Sequence, residues 1–209
     1  MLNFKECTLV KLEKSFALEQ IRTSSVLEDW INGQADITDF EQQVLLKFRE
    51  KLRLNVYDWN ETELAYNFIG PVIALADYTT SKFNFFAERT FCGIADGIEM
   101  GGRPDGMVAS GFREPEKPYF CFQEYKKEKD PGGDPAAQAL APMLVAQEIN
   151  EYRHPIYGCY VKGGVWYFMT LLKKQYCISD GYLATRDDIF DIFRILKVLK
   201  LIIIELAKN

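Results

Sequence analysis

The chain is poor in the residues most often used for chemistry at neutral pH. It has one histidine, His154, which stands before Pro155 at an expected helix-to-strand turn. One imidazole cannot build a histidine-based zinc centre, and it gives a Ser-His-Asp triad a single place to form. A structural or surface role is the expectation for it. The five cysteines (Cys7, Cys92, Cys121, Cys159 and Cys177) are odd in number, scattered, and never spaced Cys-x-x-Cys. That excludes a zinc ribbon and a disulfide framework, and it fits reduced thiols in a cytoplasmic protein. No G-x-x-x-x-G-K-[ST] run occurs, and Gly93, Gly97, Gly101 and Gly102 match no phosphate-cradling fingerprint. The N-terminal residues alternate charged and apolar and lack the apolar stretch of a signal peptide. Ile189–Leu206 is broken by Asp191, Arg194, Lys197 and Lys200 at near-helical spacing, so no membrane span is expected. Positive charge is also short: 25 Lys and Arg against 30 Asp and Glu, a net charge of −5. This argues against a dedicated, tight nucleic-acid binder, but not against a locally basic cleft.

What is present is an ordinary globular chain of 209 residues, 48% apolar and 26% charged. A single domain over 1–209 is expected. It divides into a mainly helical elaboration over 1–58, a core over 59–179 and a terminal helix over 180–209. Ser24 or Ser25 opens a helix through Trp30 that stops near Gly33, and Thr38-Asp-Phe-Glu41 is a capping box for the next. Asn60-Glu-Thr-Glu63 repeats that logic before an apolar stripe that Gly70-Pro71 should kink. Strands are expected at 82–92, 105–110 and 119–126, with the four glycines of 93–102 as a turn or loop between the first two. After a break at Pro131-Gly-Gly-Asp134, Asp134 caps a helix to about Tyr152 that Pro142 should kink. Strands at 156–162 and 165–173 meet at Gly163-Gly164, a hairpin signal. A short strand follows at 176–178, and then a final helix capped at Thr185-Arg-Asp-Asp188. That apolar helix is either buried or a dimer contact. Helices on both faces of a mixed sheet are the packing this order implies.

Chemistry concentrates in residues 102–129. Side chains alternate across a strand, so Glu124 and Lys126 share a face, with Phe120 and Phe122 behind them. An antiparallel partner beginning at Asp105 would bring that carboxylate to the same sheet end. Two close carboxylates repel one another, and a divalent cation relieves the repulsion.

Pro104-Asp105 followed by Glu124-Tyr125-Lys126 resembles the PD-(D/E)xK nuclease superfamily, whose fold is restriction-endonuclease-like. The resemblance covers about residues 60–173. It implies an α/β fold with a mixed central sheet flanked by helices, plus the N-terminal helical elaboration. It further implies Mg²⁺ or Mn²⁺ held by Asp105, Glu124 and the Tyr125 carbonyl, with Lys126 acting on the attacking water. Glu63 looks like the family's upstream acidic residue. Gln138 looks like its supporting polar residue, and Lys127 is placed to meet phosphate. The implied function is a metal-dependent nuclease, with DNA the first substrate and a homodimer or a larger nuclease system as the assembly. The alternative is an inactive member serving as a nucleic-acid- or protein-binding module in defence or repair. Plainer readings stand beside each residue. Glu124 and Lys126 would make an ion pair at a strand end, and Asp105-Gly106 a turn. Glu63 would complete a capping box with Asn60, Gln138 would face solvent, and Lys127 and Lys129 would form a solvated charge run. Tyr157, Tyr160, Trp166, Tyr167 and Phe168 are either core aromatics or a face on which bases stack.

Overall fold

The computed structural model describes residues 1–130 and 132–208. Of the expected break before the sixth helix, Pro131 lies outside them. The N-terminal part holds β1 (Leu2–Asn3), α1 (Leu9–Phe16), β2 (Glu19–Gln20), α2 (Ser25–Asn32), α3 (Asp39–Asn55), α4 (Glu61–Leu64) and α5 (Gly70–Ala76). Then come β3 (Phe83–Ala87), β4 (Phe91–Ala95), β5 (Ile98–Gly102), β6 (Gly106–Ser110) and β7 (Glu116–Lys126). α6 (Pro135–Ile149) leads to β8 (Ile156–Lys162), β9 (Val165–Leu172), β10 (Gln175–Ile178), β11 (Tyr182–Leu183) and α7 (Asp188–Leu206).

The large sheet runs in the order β2-β10-β9-β8-β7-β6-β3, with β11 also on β9. β7 pairs parallel with β8 but antiparallel with β6, so the sheet is mixed. A parallel pair needs a crossover, and α6 supplies it. The chain is thus an α/β protein with a multi-stranded mixed sheet.

Helices cover both faces. On one side α2, α3, α5 and α7 enclose a core that includes Trp30, Leu52, Phe68, Phe120, Trp166 and Leu196. Its buried polar tips are satisfied by α7, whose Ile195 carbonyl accepts from Trp30 Nε1 at 2.9 Å and whose Leu196 carbonyl accepts from the Tyr78 hydroxyl at 2.7 Å. The terminal helix is therefore a core element along most of its length. On the other side α6 is buried nearly all round, because it lies between the large sheet and a small one of order β1-β5-β4. Pro142 removes the N–H that would reach the Gln138 carbonyl, yet α6 runs on from Pro135 to Ile149. Packing on two sheets outweighs the lost bond.

Several expectations change. The segment 82–92 is two strands in two different sheets. The glycines after it are not a loop: β4 and β5 form a hairpin turning at Asp96-Gly97, both at positive φ. Gly93 serves close approach, since a Cβ there would come within 2.6 Å of Val145 Cγ1 on α6. The first helical capping box is present at Thr38, but α7 starts after Asp187 with no side-chain cap, so Thr185 does not open it. Gly70-Pro71 makes no break. A π-helical turn over Ala65–Ile69 carries α4 into α5, and Pro71 falls in the first turn of α5. Phe120 and Phe122 enter opposite cores, because a bulge shifts the β6–β7 register next to them. No helix among the described residues is long and apolar enough to cross a membrane.

Candidate active site

β6 and β7 are antiparallel, with Gly106 opposite Gln123. Asp105, one residue outside β6, therefore arrives beside the end of β7. Its Oδ2 accepts the Tyr125 N–H at 2.6 Å, and its own carbonyl accepts from the Glu88 N–H at 3.2 Å. Gly106 is a strand residue and not part of a turn. A Cβ there would lie 2.7 Å from Phe85 Cζ and 3.1 Å from the Tyr125 hydroxyl, so only glycine lets Asp105 come this close.

Glu124 points from β7 toward the α6 side and is only 4% exposed. Lys126, on the same face, places Nζ 2.5 Å from Glu124 Oε1 and 3.2 Å from the Tyr125 carbonyl. Glu61 of α4 stands at the outer side, with its Oε2 3.7 Å from Lys126 Nζ. A buried carboxylate, Glu124, and a half-buried one, Asp105, thus lie near one ammonium, which bonds the first and acts on the second through its charge. Burial pushes Asp105 up to about 6, against the bond from Tyr125 and the charge of Lys126. Burial, then the charge of Asp105, pushes Glu124 up to about 7. Burial works against the Lys126 ammonium, but Glu124 outweighs it and holds the group above its usual range. The lysine is thus a cation, and the excess negative charge lies on the acid pair.

Neither a comparison with protein-family models nor one with curated proteins gives a match for this chain.

Gln138 does not face solvent. It is 6% exposed, and its Nε2 donates to the Lys5 carbonyl at 3.2 Å, while its Oε1 is buried without a partner. Gly133, at a φ of 87°, lets the preceding loop lie against it. A Cβ on Gly133 would sit 3.0 Å from Gln138 Nε2 and 3.8 Å from Lys126 Cε. Gln138 and Lys126 are thus neighbours across one glycine. Lys127 follows at the strand end, half-buried, with no ion pair among the described residues.

Glu63 is exposed and spent in the capping box: its Oε2 accepts the Asn60 N–H at 2.8 Å, and its own N–H returns a bond to Asn60 Oδ1 at 2.9 Å. The glutamate of this helix that approaches Lys126 is Glu61. The sequence carried that signal. Asn60-Glu61-Thr62-Glu63 holds two glutamates, the third helical residue completes the box, and the other is left free. Lys5, whose charge acts on Asp105 and whose carbonyl holds Gln138, carried no such signal, because 133 residues separate it from Gln138.

Among the described residues no three His, Cys, Asp or Glu side chains form a metal-holding group. Magnesium does not require three, since one or two carboxylates and several waters suffice. The donors here are all hard oxygens (Asp105, Glu124 and the Tyr125 carbonyl), and a cation, the Lys126 ammonium, already rests on two of them. The unpartnered Gln138 Oε1 beside Lys126 adds a polar atom awaiting a donor such as water. This donor chemistry suits Mg²⁺ or Mn²⁺.

Proposed function

We propose that the chain is a divalent-cation-dependent phosphodiesterase of restriction-endonuclease-like fold acting on nucleic acid, with DNA as its first substrate. One observation carries this reading: Asp105, Glu124 and Lys126, from positions 105 to 126, converge at one sheet end with a buried and a half-buried carboxylate for one ammonium. Such a charge imbalance costs stability unless a ligand relieves it. The β7–α6–β8 crossover beside an antiparallel β6 also supports the fold. Asp105, Glu124 and the Tyr125 carbonyl would hold Mg²⁺ or Mn²⁺, which when bound acidifies water and polarises a phosphoryl oxygen.

The chain's own groups do the rest. Lys126 stays protonated, so it serves as a donor, orienting the attacking water or bearing on a phosphate oxygen, and not as the base. Glu61 draws that ammonium toward the open side. Gln138 offers its free oxygen to a water hydrogen. The test is cleavage of linear, nicked and single-stranded DNA with Mg²⁺ or Mn²⁺. Activity in the parent that vanishes in Glu124→Ala and Lys126→Ala supports the assignment, and activity that survives both sinks it.

A second reading is favoured by the closure of Lys126 onto Glu124 and the Tyr125 carbonyl: a sealed pair in a non-catalytic binding module. Titration with millimolar Mg²⁺ and Mn²⁺ separates the two. A calorimetric signal and a rise in melting temperature favour the enzyme, and neither in a folded protein favours the module.

A further inference from the structure

Of the aromatic residues on β8 and β9, Tyr157, Trp166 and Phe168 are buried in the core. Tyr160 and Tyr167 are different. They face the α6 side, stay partly open, and stack on one another with ring centroids 4.6 Å apart and planes 12° from parallel. Their register places them. Glu124 on β7 pairs with Tyr160 on β8, and Tyr160 pairs with Tyr167 on β9. Paired residues project to the same face, so the three form one row across the sheet. The next row outward begins with Lys126, whose partner is Lys162, exposed and without an ion pair among the described residues. A candidate reacting centre thus continues sideways into a stacked aromatic pair and a free cation.

From this arrangement we infer that Tyr160, Tyr167 and Lys162 form a nucleotide subsite that takes one unpaired base and its phosphate next to the centre. Stacking is indifferent to base identity, because every base offers a π-face, and lysine meets the phosphate as a point charge. In a duplex both faces of a base are covered by its neighbours. A base reaches the tyrosines only where the strand is single or frayed, or where the nucleotide is turned out. The centre therefore works on single-stranded nucleic acid or on an unpaired end. The acidic chain agrees with this: with a net charge of −5 and no overall attraction for a duplex backbone, affinity must come from local stacking and a few cations. This inference rests on the nuclease reading for the role of the neighbouring acids, but it has its own readout in binding.

The experiment is fluorescence anisotropy with a labelled oligothymidylate and with a duplex of matched length, at fixed salt, without divalent metal. The parent protein is expected to bind the single strand more tightly than the duplex. Tyr167→Ala should weaken single-strand binding about tenfold, the range of one base–aromatic stack, and Tyr167→Phe should keep it. Lys162→Ala, at an exposed position, should lower the salt dependence of binding by about one phosphate contact. Equal affinity for strand and duplex would overturn the proposal, as would a Tyr167→Ala protein that is folded and binds like the parent. Cleavage assays on the same proteins separate the two readings. Strand binding through Tyr167 with no cleavage keeps the subsite and sinks the nuclease. Glu124-dependent cleavage indifferent to Tyr167→Ala keeps the nuclease and sinks the subsite.

Discussion

The two ends of β7 carry comparable sets of polar residues and treat them in opposite ways. At its start, Lys117 bonds Glu151 at 2.7 Å, and Glu151 also holds Arg153 at 2.7 Å, all near the surface. Asn150 serves both backbone groups of Tyr119, accepting its N–H at 3.0 Å and donating to its carbonyl at 2.6 Å. His154 is seated between Phe120, stacked at 5.5 Å, and the Pro155 carbonyl, 2.8 Å from Nδ1. Lys117, Asn150, Arg153 and His154 line a cavity of about 160 Å³ with Pro118 and Leu206. Their polar demands are met locally, so nothing there needs a ligand. At the other end Glu124 is buried and Asp105 and Lys126 half-buried, one ammonium lies near two carboxylates, and a buried carboxamide oxygen has no partner. A cavity is therefore the poorer guide to function here, and unmet electrostatic demand is the better one.

The comparison breaks most sharply in activity. Lys126→Ala should cut cleavage by at least about a hundredfold, the scale on which positioned donors contribute. Lys117→Ala, at the satisfied end, should leave the rate within about twofold, as ordinary surface changes do. Rates on the same oligonucleotide check both, and equal losses would erase the distinction.

Stability against pH is the next largest effect. Folding raises Glu124 from 4.5 to about 7, so the folded state holds this proton more tightly than the unfolded chain. The stability it contributes is full below pH 4.5 and is lost as pH rises through about 7; Asp105, raised to about 6, acts in the same direction. Denaturant titrations without metal at pH 5 and pH 8 should therefore show Glu124→Gln gaining on the parent by on the order of 2–3 kcal/mol as pH rises. A constant difference between the two proteins would contradict the buried, unrelieved charge.

At the satisfied end the opposite sign is expected. Asn150→Ala strands the Tyr119 N–H and carbonyl and should destabilise by about 1–3 kcal/mol at either pH, with per-molecule cleavage unchanged. Smallest is the separation of two neighbouring glutamates. Glu63→Ala should cost about 0.5–1 kcal/mol through the lost cap and leave cleavage alone. Glu61→Gln should alter the rate and leave the melting temperature within a degree or two.

Much of this was legible without coordinates. The strands at 119–126, 156–162 and 165–173 follow from apolar runs between Gly and Pro signals and fall within a residue or a few of β7, β8 and β9, and the Thr38 and Asn60 boxes follow from four-residue patterns. The expected antiparallel neighbour of β7 placed Asp105 at the right end. Local rules failed where a glycine served packing. Gly93 and Gly102 read as loop residues, but they sit in β4 and β5 because Val145 and Phe4 fill the space a Cβ would take. The bulge that sends Phe120 and Phe122 to opposite cores left no trace in the alternation of residues.

The sequence by itself determined most of the helices, the strands at the centre of the large sheet, and the meeting of Asp105, Glu124 and Lys126 at one strand end, because capping, alternation and turn propensity act over a few residues. Only the tertiary structure decided that Lys5 reaches the site and that Tyr160 and Tyr167 lie in the row of Glu124. Those facts depend on which strands pair and in what register. Register is set by burying both faces of the whole sheet at once, and no short window of the chain contains that condition.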